Sequence, residues 1–196
     1  MLDNFLYNQK ELKIIENKEI KKYINKKSSY LWIKATNILS EEMDFLKEIF
    51  NFHPTTIEDL LSKYTRIKYE EFDEYTLMVF QGIKEIKGNY AKTYNLSFVM
   101  GENFIVTFNE EANEIIEELS KNHKKIENFL RKGEDYIAHY IFDKEVDKYL
   151  RIKIESGENL KEIEKEFMKN QDKETLKKIF SKELILIFSE KNLMAI

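Results

Sequence analysis

Apolar residues in the middle of the chain follow the spacing of β-strands. Residues 75–80 are apolar on both alternating faces, which is typical of a central strand that is covered on both sides. Residues 94–100 and 104–108 are similarly apolar, and Gly101-Glu102-Asn103 between them predicts a tight hairpin. We therefore expect residues 66–108 to form three or four sequential, mostly antiparallel strands.

Shorter segments before this region predict both strands and a helix. Residues 11–16 and 30–36 are expected to be strands, and the second is the better candidate because it is rich in aromatic and β-branched residues. Residues 19–25 fit a short strand or a short helix, and the pattern leaves both open. Ser40, followed by two acids, predicts a helix N-cap. Apolar residues at helical spacing then predict a core-facing helix as far as Phe50.

The chain becomes helical after the last predicted strand. One helix is predicted from Ala112 to Leu119 and a long one from about Glu134 to Lys169. Ser156-Gly157 is expected to interrupt the long helix, at a cost of about 1 kcal/mol relative to alanine. Asp172 predicts the N-cap of a last helix. The last two helices would form an antiparallel hairpin standing off an α/β core.

The last predicted helix is apolar almost all round at residues 184–188. A helix that is apolar on every side requires burial on every side. Because the hairpin covers only one side, we expect a further helix or a partner chain to cover the rest.

The composition indicates a folded domain and excludes several classes of function. Of the 196 residues, 42% are hydrophobic and 35% are charged, a balance typical of a sizeable core with solvated helices. The net charge of −4 provides no basic excess for binding nucleic acid. Because the chain has no cysteine, it has no disulfides, thiolate zinc sites or cysteine nucleophiles.

The apolar runs of the chain are too short to predict a membrane-spanning helix. The longest continuous apolar run is residues 184–188, whereas a membrane-spanning helix needs about 20 apolar residues. The N-terminus has neither the basic start nor the apolar core of a signal peptide. We therefore expect a soluble, cytoplasmic segment that does not itself cross a bilayer.

The most unusual stretch is residues 52–74, which contains the only proline, Pro54. Thr55 to Glu58 fits a capping box at the start of a helix over about residues 55–63, and Thr56 to Asp59 fits almost as well. Only one acid can serve the box, so the other is left for another role. From the residues alone, capping without a further function is the favoured interpretation of this acidic pair.

A second candidate group lies on the long predicted helix. His139, Asp143 and Asp147 are four residues apart and share one face. Arg151 would neutralise Asp147 but not Asp143, and a solvated stripe is the favoured interpretation of these residues. The sequence has no Gly-rich phosphate loop, no His-Glu-x-x-His zinc helix and no Gly-x-Ser-x-Gly elbow. We therefore do not expect an enzyme.

Several blocks of this sequence follow one another in a specific order and spacing. They are Trp32-Ile33, the helix from Phe45 to Phe50, the block from His53 to Leu61, the block from Arg66 to Tyr75, residues 96–99 and 104–108, Asp135-Tyr136, and Asp143 with Asp147 and Tyr149. In these residues the chain resembles the CorA family of magnesium and cobalt channels. The resemblance covers nearly the whole chain from about residue 30.

The sequence departs from the family pattern in two places. Arg66-Ile67-Lys68 lacks the family's central proline, which is expected to change only local stiffness. The family's stalk helix, two membrane helices and Gly-Met-Asn pore signature have no counterpart in this sequence. The resemblance therefore implies a cytoplasmic domain alone, either a shortened fragment or a naturally short protein, which would not conduct ions by itself.

The resemblance implies an α+β fold. This fold is an αβα sandwich, in which helices cover a mixed, largely antiparallel sheet, followed by the long antiparallel helical hairpin. We expect the sandwich to span residues 1–132 and the hairpin to span residues 133–196. In the intact protein, subunits of this kind would form a pentameric funnel together with stalk and membrane helices of the same protein.

The resemblance also implies a regulatory function. Divalent cations, Mg²⁺ or Co²⁺, would bind between neighbouring cytoplasmic domains and hold the pore shut. The family's sensor carboxylates map onto Asp59 and, less closely, onto Glu58 and Asp143. The opposing carboxylate belongs to the neighbour's stalk helix, so we expect Mg²⁺ binding by this chain to be weak and incomplete.

Two alternatives remain open from the sequence. The first is a metal-independent assembly module whose carboxylates only cap helices and face solvent. The second is the cytoplasmic domain of a zinc-transporting relative, in which His139 and Asp143 would bind a transition metal.

Overall fold

The computed structural model describes residues 1–24, 26–62, 65–87 and 90–193, and these residues form a seven-stranded mixed sheet. The strand order is β2-β1-β3-β7-β6-β5-β4. The strands are β1 (Leu2–Tyr7), β2 (Leu12–Ile15), β3 (Tyr30–Thr36), β4 (Lys68–Glu71), β5 (Thr76–Lys87), β6 (Tyr90–Met100) and β7 (Phe104–Asn109).

The pairing of these strands confirms a mixed, largely antiparallel sheet. β1 pairs antiparallel with both β2 and β3, β4 pairs antiparallel with β5, and β6 pairs antiparallel with β7. β3 and β7 are parallel, with Leu31 opposite Phe104. Since parallel neighbours need a long crossover, this pair brings the first third of the chain next to the hairpin of β6 and β7.

The helices are distributed between the strands and after them. A 3₁₀ helix covers Asn17–Lys22. The α-helices are α1 (Ser40–Phe50), α2 (Pro54–Leu61), α3 (Glu114–Lys121), α4 (His123–Leu130), α5 (Asp135–Asn170) and α6 (Lys173–Leu193).

Alternating residues of the central strands enter two separate cores, as the period of a β-strand requires. Leu31 and Ile33 belong to a cluster that includes Met43 and Leu46 of α1. Trp32, between them, belongs to a second cluster with residues of α3, α4 and the start of α5. Helices therefore cover both faces of the sheet, which confirms the αβα sandwich.

The contacts within the chain define two compact units. The first contains Met1–Phe80 and Tyr94–Phe142, and the second contains Gln81–Thr93 and Asp143–Ile196, as far as these are described. Within the second unit, the hydroxyl group of Tyr149 donates a hydrogen bond to the carbonyl of Gln81. Burial, followed by the nearby Glu145 carboxylate, raises the pKa of Tyr149, so this phenol stays protonated as the donor. The predicted domain boundary between residues 132 and 133 stays a prediction.

Several sequence predictions differ from the structure. β1 was not predicted, and residues 19–25, where strand or helix was left open, lie mostly within the 3₁₀ helix. Ser156-Gly157 does not interrupt α5, which is continuous over 36 residues. A Cβ atom placed on Gly157 would meet no atom within 4 Å, so this glycine is neither a break nor a close-packing requirement.

The predicted cap of α1 is displaced by one residue. The N-cap is Leu39, whereas Ser40 is the first helical residue. The Glu42 carboxylate accepts the Leu39 N–H at 2.9 Å and also binds the Met1 ammonium at 2.9 Å. The Glu42 carboxylate, which reaches back to Leu39, therefore stabilises the start of α1 in place of the Ser40 hydroxyl that the sequence predicted.

The predicted capping box at the start of α2 is wrong. The N-cap is His53, whose ring Nδ1 accepts a hydrogen bond from the Thr55 N–H at 3.3 Å, and Pro54 is the first helical residue. Thr56 is fully buried instead, and its Oγ1 lies 2.8 Å from the hydroxyl group of Tyr75. Neither Glu58 nor Asp59 is used in the cap.

The hydroxyl group of Tyr75 fixes the start of α2. It accepts the His53 N–H at 2.9 Å as well as bonding with Thr56. Because Tyr75 is buried in the first core cluster, these two contacts fix the position of the start of α2 relative to the sheet.

The turn between α5 and α6 confirms the predicted cap at Asp172. Gln171 has a φ of 43°, and the Asp172 carboxylate accepts the N–H groups of Glu174 and Thr175 at 2.9 and 2.8 Å. The Thr175 hydroxyl also donates to Asp172, at 2.6 Å. These hydrogen bonds, from the Thr175 side chain above all, lower the pKa of Asp172 below its ordinary value of 3.8.

We expect the hairpin turn to lose stability in acid. A lowered pKa means that the contribution of the ionised cap is complete above pH 3.8 and is lost as the pH falls through the lower pKa of the folded state. Asp172→Ala should lower the thermal midpoint at pH 7, whereas Asp172→Asn should keep most of the cap. Circular dichroism melts between pH 7 and 2.5 test this. A difference between the wild-type and Asp172→Asn midpoints that stays constant down to pH 2.5 would contradict it.

We expect Tyr75→Phe to destabilise the sandwich by about 1–2 kcal/mol, because the buried Thr56 hydroxyl and the His53 N–H both lose a partner. Urea unfolding followed by tryptophan fluorescence measures the change. The matched control is Tyr69→Phe, since the Tyr69 hydroxyl donates to Glu71 on an exposed surface. Equal unfolding midpoints for the two variants would show that the hydroxyl group of Tyr75 does not anchor α2.

Candidate functional site

Asp59, the main metal-binding candidate from the sequence, lies near the carboxyl end of α2. The neighbouring helical residues Ile57 and Leu60 pack against the first core cluster. This contact turns the Asp59 side chain toward β4, where its Oδ2 atom forms a hydrogen-bonded ion pair with the ammonium group of Lys68. The side chain of Asp59 is 20% exposed and that of Lys68 is 22% exposed, so solvent ions can reach the pair.

Lys68 binds two carboxylates at once. Its Nζ atom also lies 3.1 Å from Oε2 of Glu70, which shares a face of β4 with Lys68 because residues two apart on a strand point the same way. Burial alone would lower the pKa of Lys68, but the hydrogen bonds to Asp59 and Glu70 outweigh burial and raise the pKa above its ordinary value. The lysine is therefore a fixed cation at neutral pH.

The backbone around Asp59 is held by further hydrogen bonds. The carbonyl of Asp59 accepts the Ser62 N–H at 3.3 Å and the Thr65 hydroxyl at 2.9 Å. The side-chain amide of Asn95 on β6 donates to the carbonyl of Ser62 at 3.0 Å. The carboxylate of Asp59 is therefore presented from a backbone that is tied both to the following loop and to the sheet.

The other two candidates are placed differently. Glu58 is exposed, and its carboxylate makes no hydrogen bond or ion pair within the described part of the chain. Asp143 is exposed on α5, in the second compact unit. Across the described residues, no three His, Asp or Glu side chains are grouped so that they could hold a metal ion. Asp59 shares the Lys68 ammonium with one other carboxylate, that of Glu70, and the assignment of Asp59, Glu58 and Asp143 as ligands stays a prediction.

The helical face that carries His139, Asp143 and Asp147 is exposed throughout. Asp147 pairs with Lys144, three residues before it, at 3.9 Å. The expected pair with Arg151 is absent from the contacts of the described residues. No third His, Asp or Glu joins His139 and Asp143 within the described residues, so the transition-metal alternative gains no support from the geometry.

Sequence reasoning did not identify Lys68 and Glu70 as part of this site. The signal was the pair of opposite charges two residues apart on a predicted strand, which places both on one face. The missing information was tertiary, since the contact between Asp59 and Lys68 depends on how the loop after α2 returns the chain to the sheet.

A second surface feature lies on α6. Four large apolar side chains at helical spacing are exposed to solvent, and we call them the α6 stripe: Leu176, Phe180, Leu184 and Ile187. Phe180 and Leu184 are each 56% exposed, and Ile187 is 61% exposed. The opposite side of the helix contains its buried residues, Thr175, Ser181, Ile185 and Ser189.

The expectation that a further helix or a partner chain covers α6 stays a prediction. The buried side of the helix is mostly small and polar, and the serine hydroxyls bond to carbonyls of the same helix, Ser181 to Lys177 at 2.7 Å and Ser189 to Leu186 at 2.8 Å. A contiguous exposed apolar surface usually marks an interaction site. Within one copy of the chain, the four large apolar side chains of the α6 stripe are exposed to solvent.

The described residues contain no helix that is both long enough and apolar enough to cross a membrane.

Comparison with known proteins gives two curated relatives. YfjQ of Bacillus subtilis (strain 168), whose name describes it as a candidate metal ion transporter, is 25% identical over 154 residues, covering 79% of this chain and 47% of that protein. The cobalt/magnesium transport protein CorA of Thermotoga maritima is 23% identical over 154 residues, covering 77% of this chain and 44% of that protein. The chain thus spans about half the length of these relatives.

The fold has a close counterpart among solved structures. The soluble domain of CorA from Methanocaldococcus jannaschii superposes with a TM-score of 0.73 at 17% identity, covering 100% of this chain and 75% of that one. This likeness confirms the fold, including the mixed sheet and the helical hairpin.

The family model that matches the sequence is described as CorA-like Mg²⁺ transporter protein, and it matches residues 27–194. Members of this family are transporters and not enzymes. Since the match covers most of the chain, the protein belongs to the CorA-like Mg²⁺ transporter family.

Proposed function

We propose that the chain is a regulatory, divalent-cation-sensing domain of a CorA-type Mg²⁺/Co²⁺ transport protein, on the cytoplasmic side of the membrane. The observation that carries this proposal is Asp59. Its carboxylate is partly exposed, is presented from a backbone tied to the sheet, and is already bound to a cation, the Lys68 ammonium. The class of ion that would be transported, a divalent cation such as Mg²⁺, is inferred from membership of the family.

The donor chemistry at Asp59 fits Mg²⁺. Magnesium is a hard cation that prefers oxygen ligands and keeps several waters, so one or two carboxylates suffice to hold it. Asp59 would supply the direct carboxylate ligand. Glu58 would add negative charge next to Asp59, and Asp143 would add negative charge from a neighbouring subunit. The bound ion would supply positive charge that joins carboxylates which otherwise repel one another.

The weakness of such a site suits a sensor. Because the described residues of one chain group no three side chains that could hold a metal ion, the complete site would form where two subunits meet. Binding free energy is then linked to assembly, so occupancy of the site by Mg²⁺ stabilises one arrangement of subunits over others. A fall in Mg²⁺ would empty the sites and release that arrangement, which is how this domain would gate a pore outside the present chain.

We expect Mg²⁺ to raise the thermal midpoint of the wild-type chain by about 2–5 °C at tenfold the dissociation constant, the shift that mass action gives for a weak ligand of the folded state. Asp59→Asn should lose most of the shift while keeping the shape of the side chain. Differential scanning fluorimetry over 0–50 mM MgCl₂ at constant ionic strength measures it.

The matched control for this experiment is Glu48→Gln, which removes the same charge from an exposed ion pair with Lys21 on a different surface. It should shift as the wild type does. If all three proteins respond alike, Asp59 is not a ligand, and the cation-sensing proposal fails at this residue.

The α6 stripe favours a second candidate function, assembly. We propose that it is covered by a second copy of the chain in a homo-oligomer, pentameric in the intact transporter. Burying four large apolar side chains would contribute several kcal/mol, at about 25 cal/mol per Å² of apolar surface. If assembly occurred without any response to metal, the domain would be an assembly module only.

We expect the double variant Phe180→Gln/Leu184→Gln to weaken self-association at least tenfold, since it removes the centre of the α6 stripe without changing the charge. Sedimentation velocity at 5–200 μM, with and without EDTA, measures association and its metal dependence. Ile14→Gln is the control, because Ile14 is an exposed apolar residue on β2. An unchanged association constant for the double variant would exclude the α6 stripe as the interface.

A further inference from the structure

We propose that Lys68 is a built-in competitor of the divalent cation. Its ammonium group occupies the Asp59 carboxylate when no metal is bound, and it must leave that carboxylate before a metal ion can bind. This inference rests on the proposed role of Asp59 as a ligand, and it adds a residue that sets the concentration at which the sensor responds.

The contacts of Lys68 allow such an exchange. Its Nζ atom bonds Oδ2 of Asp59 and lies 3.1 Å from Oε2 of Glu70. Glu70 is on the same strand as the lysine, whereas Asp59 is on α2. When a metal ion takes Asp59, the ammonium group keeps Glu70 as its partner, so the exchange breaks one ion pair and leaves the other in place.

The accessibility of the pair separates it from a purely structural one. Lys34 also binds two carboxylates, with Nζ 3.1 Å from Oδ2 of Asp3 and 2.7 Å from Oε1 of Glu117. Those two carboxylate side chains are 36% and 31% exposed, but the Lys34 side chain is only 3% exposed. Because the Lys34 ammonium group is buried, it cannot move into solvent and free a carboxylate for a metal ion. About a fifth of each partner in the Asp59–Lys68 pair is exposed, so a hydrated Mg²⁺ ion can approach the carboxylate as the lysine moves away.

Removing the charge of Lys68 should strengthen metal binding by a small factor. A partly exposed ion pair contributes little, so its loss changes metal affinity by a small factor. We therefore expect the half-saturating Mg²⁺ concentration to fall about two- to fivefold when the lysine charge is removed. A residue that only braced α2 against β4 would lower the thermal midpoint without changing that concentration.

The experiment is a Mg²⁺ titration at constant ionic strength, followed by isothermal titration calorimetry and by the thermal midpoint. Lys68→Gln should show the two- to fivefold lower half-saturating concentration. Lys68→Met, which keeps the apolar stem of the side chain, should show the same change if the glutamine variant folds poorly. Lys68→Arg keeps the positive charge and should bind Mg²⁺ as the wild type does.

Two controls assign the effect to direct competition. Lys21→Gln removes the same charge from the exposed pair with Glu48 and should leave the half-saturating concentration unchanged. In the double variant Asp59→Asn/Lys68→Gln, the gain in affinity should vanish, because the carboxylate for which both cations compete is gone.

The outcomes separate this inference from the proposed function. If Asp59→Asn loses binding while Lys68→Gln and Lys68→Met bind as the wild type does, the competition is overturned and the Asp59 site stands. An equal gain in Lys21→Gln overturns it as well, since the effect is then one of net charge. If neither the wild type nor Lys68→Gln binds Mg²⁺, or if Asp59→Asn binds unchanged, the proposed function and this inference both fail.

Discussion

The position of the candidate sensor residue depends on one buried hydroxyl group. Tyr75 is stacked on Phe72 at a centroid distance of 4.7 Å and meets Phe52 edge-on at 5.3 Å, so its ring has little freedom. Its hydroxyl then holds both the entrance of α2, through the His53 N–H, and the first turn, through Thr56. Because α2 is only eight residues long, fixing its first turn also fixes Asp59 near its end. A polar anchor inside an apolar cluster thus sets the geometry of a surface carboxylate.

The parts of the fold that could be predicted from the sequence are those with a strong local period. The long helices, the capped turn at Asp172 and the strands between residues 75 and 108 repeat apolar residues at the spacing that their structure requires. β1 could not be predicted this way, because Asn4 occupies one of its buried positions. Its side-chain amide bonds the carbonyl of Ile15 at 3.1 Å and the side chain of Asn17 at 2.8 Å. Ile15 lies in the strand predicted over residues 11–16, but its contact with Asn4 is tertiary and no local pattern reveals it.

The candidate site shows the same division between local and tertiary information. Thr55 to Glu58 and Thr56 to Asp59 both fit a capping box by spacing, yet the structure caps α2 with the His53 ring. Burial of Thr56 against Tyr75 takes that hydroxyl into the core. Asp59 was selected only by resemblance to a family, since the residues alone favoured capping. Its contact with Lys68 spans nine positions and a loop, and no periodic pattern carries that information. In the sequence, Lys68 was therefore marked only by the opposite charge of Glu70 two residues later.

Under the proposed function, other subunits complete both the α6 stripe and the Asp59 site, for related physical reasons. In an amphipathic helix of an isolated domain, the apolar side normally faces inward, whereas the described residues of α6 that are buried are Thr175, Ser181 and Ser189 with one large apolar residue, Ile185. At Asp59, a tethered ammonium group pairs with this carboxylate and with that of Glu70, and the described residues place no third metal-binding side chain with them. A chain selected to be stable on its own would gain by exchanging the outward apolar side for a polar one. Both features become favourable together only if other subunits supply apolar surface to the stripe and carboxylate charge to the ion, so that assembly and cation binding stabilise the same state.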